Sequence, residues 1–241
     1  MHHIRIITPC ATPHLRSAEG LRALERDGMR ITHAYINAGP ASIESEFDAA
    51  YCLPGTIRSA LEAQSDGADA VIIDCMGDPA LNACRERLDI LVLGPAETSM
   101  HVAAMLGLRF SIVTVVDSVV AMLNNLASVY GLSHKLASVR SINVPVLSIH
   151  EDPAALHEAL LDQCKRAITE DGAHSIVLGC TGFFGCAEAL SSALARSNLP
   201  VPVVDPIPTT VYVADALLSS RLRCSRRTYP LPRVKPIVGF D

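Results

Sequence analysis

Short runs of consecutive apolar residues recur along this chain, and between them hydrophobic positions fall three or four apart. Unbroken apolar runs bounded by turn residues read as strands buried on both faces, and the wider spacing reads as helices that cover them. Strands are expected over 4–7, 31–36, 90–93, 110–115, 136–142 and 201–204, with two more inside 67–77 and 172–182. Helices are expected over 14–27, up to Gly67 in a stretch interrupted by Pro54, and shortly after Asp78-Pro79, a capping residue followed by proline. More follow over 96–106, from Asp117 to Gly131, from Asp152 to Gly172, over 183–196 and over 209–221. In the helix after Asp152, Leu156, Leu160, Leu161, Cys164 and Ile168 share one face. The tail from Arg221 is basic, rich in proline and irregular, and reads as a solvated segment.

Strands alternating with helices predict parallel sheets built from βαβ units. The order also repeats. Gly67-Ala68, an apolar run and Cys75-Met76-Gly77 are answered by Gly172-Ala173, a second run and Cys180-Thr181-Gly182. Thr8 and Thr114 end the first strand of each half, and Leu93-Gly94-Pro95 is matched by Val204-Asp205-Pro206. One such match is common among buried strands; four in the same order indicate internal duplication. The expected architecture is α/β, with two pseudo-symmetric Rossmann-like lobes, each a mainly parallel four-stranded sheet flanked by helices, and the active site in the cleft between them. The expected lobes are 1–107 plus 206–241, and 108–205. No Gly/Ser-rich linker separates them, so close packing is expected.

Composition narrows the function classes. A chain of 241 residues with 49% apolar and 19% charged residues can bury a sizeable core. A net charge of −5 and the absence of Trp give no reason to expect nucleic acid or a membrane surface as partner. No apolar stretch reaches membrane-spanning length, and the chain enters its first strand without signal-peptide architecture. Its eight cysteines include no Cys-x-x-Cys pair, and no His stands at zinc-ligand spacing from Cys180 and Cys186. Reduced thiols in a cytoplasmic protein are expected, with no metal and no cofactor; glycine-rich phosphate loops are absent.

The chemistry concentrates in Cys75 and Cys180. A thiol just past a strand and at the mouth of a helix is placed where the helix dipole favours the thiolate. Two such thiols facing each other across a cleft suit removal of a proton from one face of a carbon and return of a proton to the other. Backbone N–H groups of the two Cys-x-Gly turns would hold the carbanion. A single cysteine at a strand end is more often a buried hydrophobe, the reading kept for Cys52, Cys84, Cys164, Cys186 and Cys224. Of the histidines, His101, His150 and His174 are placed for acid/base work, with structural roles favoured.

The segments Asp74-Cys75-Met76-Gly77-Asp78-Pro79-Ala80-Leu81 and Val177-Leu178-Gly179-Cys180-Thr181-Gly182 resemble the two cysteine motifs of the Asp/Glu/hydantoin racemase superfamily. Gly39-Pro40-Ala41-Ser42-Ile43-Glu44-Ser45, Phe110-Ser111-Ile112-Val113-Thr114, Val144-Pro145-Val146-Leu147 and Val201-Pro202-Val203-Val204-Asp205 resemble its hydantoin and allantoin racemase branch, over about residues 4–215. The resemblance implies cofactor-independent racemisation or epimerisation of a small molecule at a carbon flanked by a carbonyl and a nitrogen. It implies Cys75 and Cys180 as base and acid, and a homo-oligomer. The substrate pocket it implies is lined by Cys10, Ser42, Ile43, Met76, Gly77, Thr114, Thr181 and Gly182.

Two departures from the family pattern remove hydrogen-bonding capacity. Thr8-Pro9-Cys10 stands where the family has Asn-Pro-Asn, and Val115 where it has a second Thr. Alternatives on the same scaffold are an Asp/Glu-type amino-acid racemase, a maleate cis–trans isomerase and a decarboxylase needing one thiol. A ligand-binding homologue without turnover is a further one.

Overall fold

The computed structural model describes residues 1–13 and 15–238. Among them eight strands form two separate four-stranded sheets, every pairing parallel. The first contains β1 (His2–Thr8), β2 (Met29–Tyr35), β3 (Ala70–Ile73) and β4 (Leu91–Leu93) in the order β2-β1-β3-β4. The second contains β5 (Phe110–Thr114), β6 (Leu136–Ser141), β7 (Ser175–Leu178) and β8 (Val203–Val204) in the order β6-β5-β7-β8. Adding four to each strand number carries one sheet onto the other, as duplication requires. The direction in which strands are added to the sheet reverses between β1 and β3, and again between β5 and β7. In open α/β sheets the carboxyl ends of strands at such a switch point form the ligand crevice.

The helices are α1 (Ala18–Arg22), α2 (Glu46–Ser65), α3 (Leu81–Arg87) and α4 (Pro95–Leu106), then α5 (Val120–Val129), α6 (Pro153–Thr169), α7 (Ala187–Arg196) and α8 (Pro206–Ser219). The strands β3 and β7 are buried throughout: Val71, Ile72 and Ile73 of β3 and Ile176, Val177 and Leu178 of β7 have no exposed surface. Burial of this kind contributes about 1.5–3 kcal/mol per side chain and fixes both strand ends rigidly.

The two lobes exchange a helix. Although α4 follows the last strand of the first sheet, its Ala96, Met100 and Ala103 join the core of the second. The reverse holds for α8, whose Ile207, Val211 and Ala214 complete the core of the first sheet. The segment 206–219 thus packs on the first sheet, whereas α4, which lies before position 107, packs on the second. Apolar periodicity reveals that a helix has a buried face, not which sheet it buries it against.

Asp78 anchors this exchange. Its φ is +45°, and α3 starts at Leu81 with Ala80 at the cap position and no side-chain cap. Asp78 instead accepts from the amides of Ala96 (3.0 Å) and Glu97 (2.8 Å) at the start of α4, and from the Tyr130 hydroxyl (2.6 Å) at the end of α5. The expected cap for the helix after Cys75 is a cap for a different helix. Burial pushes its carboxyl up to about 6, which leaves it ionised at neutral pH and able to accept from all three donors. Gly94 leaves room for it, since a Cβ there would overlap the Asp78 carboxyl group. Asp78→Ala strands two helix amides and a half-buried phenol, and is expected to cost about 2–4 kcal/mol in chemical denaturation. Tyr130→Phe removes one donor only and should cost about 1 kcal/mol or less.

Other elements differ from the sequence pattern. The helix expected over 14–27 is realised only as α1, capped by Ser17, because the preceding loop carries Arg16 inward; His14 lies outside the described residues. Pro54 does not interrupt α2, which runs through it. The basic tail is not simply solvated: Arg226 donates to the carbonyls of Arg85, Glu86 and Leu88 at the end of α3, and Arg223 to that of Asp89. Among the described residues no helix is long and apolar enough to cross a membrane.

Candidate active site

Beyond β3 the chain forms the turn Asp74-Cys75-Met76-Gly77, and beyond β7 the turn Gly179-Cys180-Thr181-Gly182. The Asp74 amide donates to Ile7 at 2.8 Å and the Gly179 amide to Val113 at 2.6 Å, so each turn is stitched to the neighbouring central strand. Each sulfur accepts from the amide of the glycine two residues on, Gly77 at 3.4 Å and Gly182 at 3.3 Å. Space beside both glycines is tight. A Cβ on Gly182 would lie 2.9 Å from Ile149 Cδ1 and 3.3 Å from Cys180 Sγ; on Gly77 it would lie 3.1 Å from Met122 Sδ.

Both thiols line one cavity between the lobes, with about 770 Å³ of empty space including its mouth. Cys10, Ser42, Ile43, Met76, Gly77, Thr181 and Gly182 line it as well. Thr114 does not: it is fully buried and its hydroxyl donates to the Gly179 carbonyl at 2.9 Å, which leaves Val115 on the cavity wall. Strand alternation explains the change, because consecutive residues point to opposite faces. His150 lines the mouth, whereas His101 is exposed with Nδ1 on the Glu97 carbonyl and His174 is exposed against Gly107.

Neither thiol sits at the start of a long helix. Cys75 precedes α3 by six residues, and Cys180 caps a three-residue 3₁₀ turn, so a glycine amide rather than a helix dipole supports each sulfur. Burial dominates: it raises the Cys75 thiol well above its ordinary value and pushes Cys180 up to about 11. Burial likewise pushes Cys10 up to about 11. Burial thus disfavours the thiolate at all three.

The sequence pattern missed the most polar feature of the site. Arg16 reaches Asp74 through Nε at 2.9 Å and Nη2 at 2.5 Å, and its Nη1 donates to the Thr181 carbonyl at 2.9 Å. Thr8 donates its hydroxyl proton to Asp74 at 2.7 Å, so it accepts from His33 Nε2 at 2.8 Å. The available signal was Asp74 itself, an ionisable residue closing a buried strand where the second repeat has Gly179. Nothing local pointed to Arg16. Among the described residues no three His, Cys, Asp or Glu side chains cluster to hold a metal ion.

Most of the rest of the wall is apolar: Val115, Val119, Met122, Leu123, Val146 and Ile149 from the second lobe face Ile43 and Met76 from the first, with Ser42 and His150 as polar exceptions. With Arg16, Asp74 and Thr8 bonded to one another, a ligand meets few unsatisfied polar groups there.

The family model described as Asp/Glu/Hydantoin racemase matches residues 5–214. The hydantoin racemase of Pseudomonas sp. is 36% identical over 98% of this chain and 94% of its own length. That of Rhizobium meliloti is 34% identical over 98% of each. The solved allantoin racemase of Klebsiella pneumoniae superposes with a TM-score of 0.92 at 31% identity, covering 99% of this chain and 97% of its own. With two duplicated lobes, a cysteine turn from each and full-length similarity to these isomerases, the chain belongs to the Asp/Glu/hydantoin racemase family.

Proposed function

We propose that the protein racemises hydantoins carrying an apolar substituent at C5, with Cys75 and Cys180 exchanging protons on opposite faces of that carbon. The observation that carries the reading is the matched pair of thiol turns lining one cavity whose remaining wall is largely apolar. The C5–H of a hydantoin lies between a carbonyl and a ring nitrogen, so its carbanion is delocalised into the carbonyl and needs no cofactor. One sulfur as thiolate takes the proton, the electron pair moves into the carbonyl, and the other S–H returns a proton to the opposite face. The glycine amides stabilise whichever sulfur is charged. The amides of Met76 and Thr181, beside the two sulfurs, are the donors assigned to the enolate oxygen.

The apolar wall separates hydantoin from allantoin. Allantoin would bring its ureido group, with several donors and acceptors, against Val115, Met122 and Ile149. Each polar group left unpaired there costs about 1–3 kcal/mol. Deuterium uptake and loss of optical rotation in D₂O, measured with 5-isopropylhydantoin, 5-benzylhydantoin, allantoin, Asp and Glu, test this. The first two are expected to exceed allantoin in kcat/KM by about tenfold or more. A preference for allantoin or for an amino acid would refute the substrate assignment, and no turnover on any would favour the ligand-binding reading. With the Cys180 thiol raised to about 11, kcat/KM corrected for background should climb with pH from 7 to 10. A pH-independent rate over that range would show that neither thiol ionises in the free enzyme's rate-limiting step.

A further inference from the structure

The duplication is broken at one point beside the thiols. Asp74 precedes Cys75, but the corresponding position before Cys180 is Gly179, where a Cβ would lie 2.7 Å from both Ile112 Cγ2 and Thr114 Cβ. One lobe therefore carries a carboxylate at its strand end and the other excludes any side chain. The carboxylate draws in Arg16, which is 8% exposed. Arg16 is held from behind as well: its amide donates to the Tyr35 hydroxyl at 2.9 Å, and its guanidinium lies 5.5 Å from the Phe184 ring centroid.

The consequence is a strap between the two reactive turns. Arg16 joins the side chain of Asp74, the residue before Cys75, to the carbonyl of Thr181, the residue after Cys180. Thr181 closes the loop by donating its hydroxyl to the Asp74 carbonyl at 3.3 Å. Three hydrogen bonds from one planar, always-charged group set the turns at a fixed separation, which a flexible ammonium cannot reproduce.

The strap is also asymmetric in charge. The groups that face Cys180 are the Gly182 amide and Arg16, which favour the thiolate, and Asp74 and Glu44, which oppose it. Cys75 is faced by the Gly77 amide and by Cys52, Cys180 and Asp78, with no cation among them.

We propose that Arg16 is a positioning residue: it locks the Cys75 turn to the Cys180 turn and places positive charge on the Cys180 side only, making Cys180 the resting base and Cys75 the resting acid. In one turnover the Cys180 thiolate takes the substrate proton and Cys75 gives up its own, so the enzyme ends with the charge on Cys75. Proton exchange with solvent then restores the resting form. The inference rests on the two-thiol reading of the site, but its first readout needs no substrate.

The test is alkylation of the unliganded protein by iodoacetamide across pH 7–10, with the Cys75 and Cys180 peptides quantified separately by mass spectrometry. In the unmodified protein Cys180 is expected to react about tenfold faster than Cys75 at each pH, the ratio that one unit of thiol acidity gives. Arg16→Met combined with Asp74→Asn removes both charges and leaves no buried ion unpaired. That variant should lose most of the Cys180 preference and about tenfold or more in kcat. Arg16→Lys keeps the charge, so the order of the thiols should survive while kcat falls and KM moves little. Faster alkylation of Cys75, or a double variant with unchanged selectivity and kcat, would overturn the proposal. Should the double variant not fold, Arg16→Lys decides it alone: wild-type kcat there removes the positioning role. Absence of racemisation in the unmodified protein with Cys180 still reacting first would count against the hydantoin reading, not against the charge asymmetry.

Discussion

Alanine in place of either Cys75 or Cys180 is expected to lower racemisation of a 5-substituted hydantoin by about 10²–10⁴-fold, the usual loss when a positioned acid or base is removed. Both thiols line the cavity and are only partly buried, so neither change should unfold the protein. The losses should not add, because a base without an acid on the opposite face completes no inversion; the double variant should be little slower than the worse single one. Exchange separates the two roles. A variant that retains only Cys180 can still take the proton from one enantiomer and return deuterium to the same face, giving uptake without inversion. The variant retaining only Cys75 should do so with the other enantiomer alone. Proton NMR on each pure enantiomer in D₂O reads this directly. Wild-type inversion by either single variant would sink the two-thiol mechanism.

That pairing was legible because both thiols follow strands whose residues are continuous apolar runs, the pattern of parallel strands buried on both faces. Its repeat in Gly67–Gly77 and Gly172–Gly182 carried the two parallel sheets, the duplication and the cleft between the lobes together. What stayed hidden depends on contacts between residues distant in sequence. Asp78 has the spelling of a local helix cap, yet its acceptors serve α4 and Tyr130, 18 and 52 positions away. Arg16 lies in a segment that reads as the start of a helix, while its partners are Asp74 and Thr181. Thr114 was placed one residue off the cavity wall, because a strand's end tells which residues alternate but not where the cavity begins. Local periodicity records burial; it does not record which buried group meets which.

Asp74→Ala should be the most destabilising single substitution near the site. Asp74 is 3% exposed and accepts three side-chain hydrogen bonds, two from Arg16 and one from Thr8. A buried ion pair adds little net stability over an apolar pair of the same shape, but removing one member leaves the other charge without water or counterion. That cost is about 3–5 kcal/mol, and for a chain of this size roughly 2–4 °C of melting temperature accompany each kcal/mol. Asp74→Asn keeps an acceptor for Thr8 and the guanidinium while losing the charge, and should fall between. The sharper test is the double-mutant cycle: if the penalty comes from stranded Arg16, then Arg16→Met in the Asp74→Ala background should recover much of it, giving an interaction energy of about 1–3 kcal/mol. Additive losses would mean instead that Asp74 acts mainly through Thr8 and the β1–β3 strand ends. Recovered stability without recovered turnover would separate the two duties of the pair, since charge balance can be restored by deleting both groups, whereas the strap from Asp74 to Thr181 cannot.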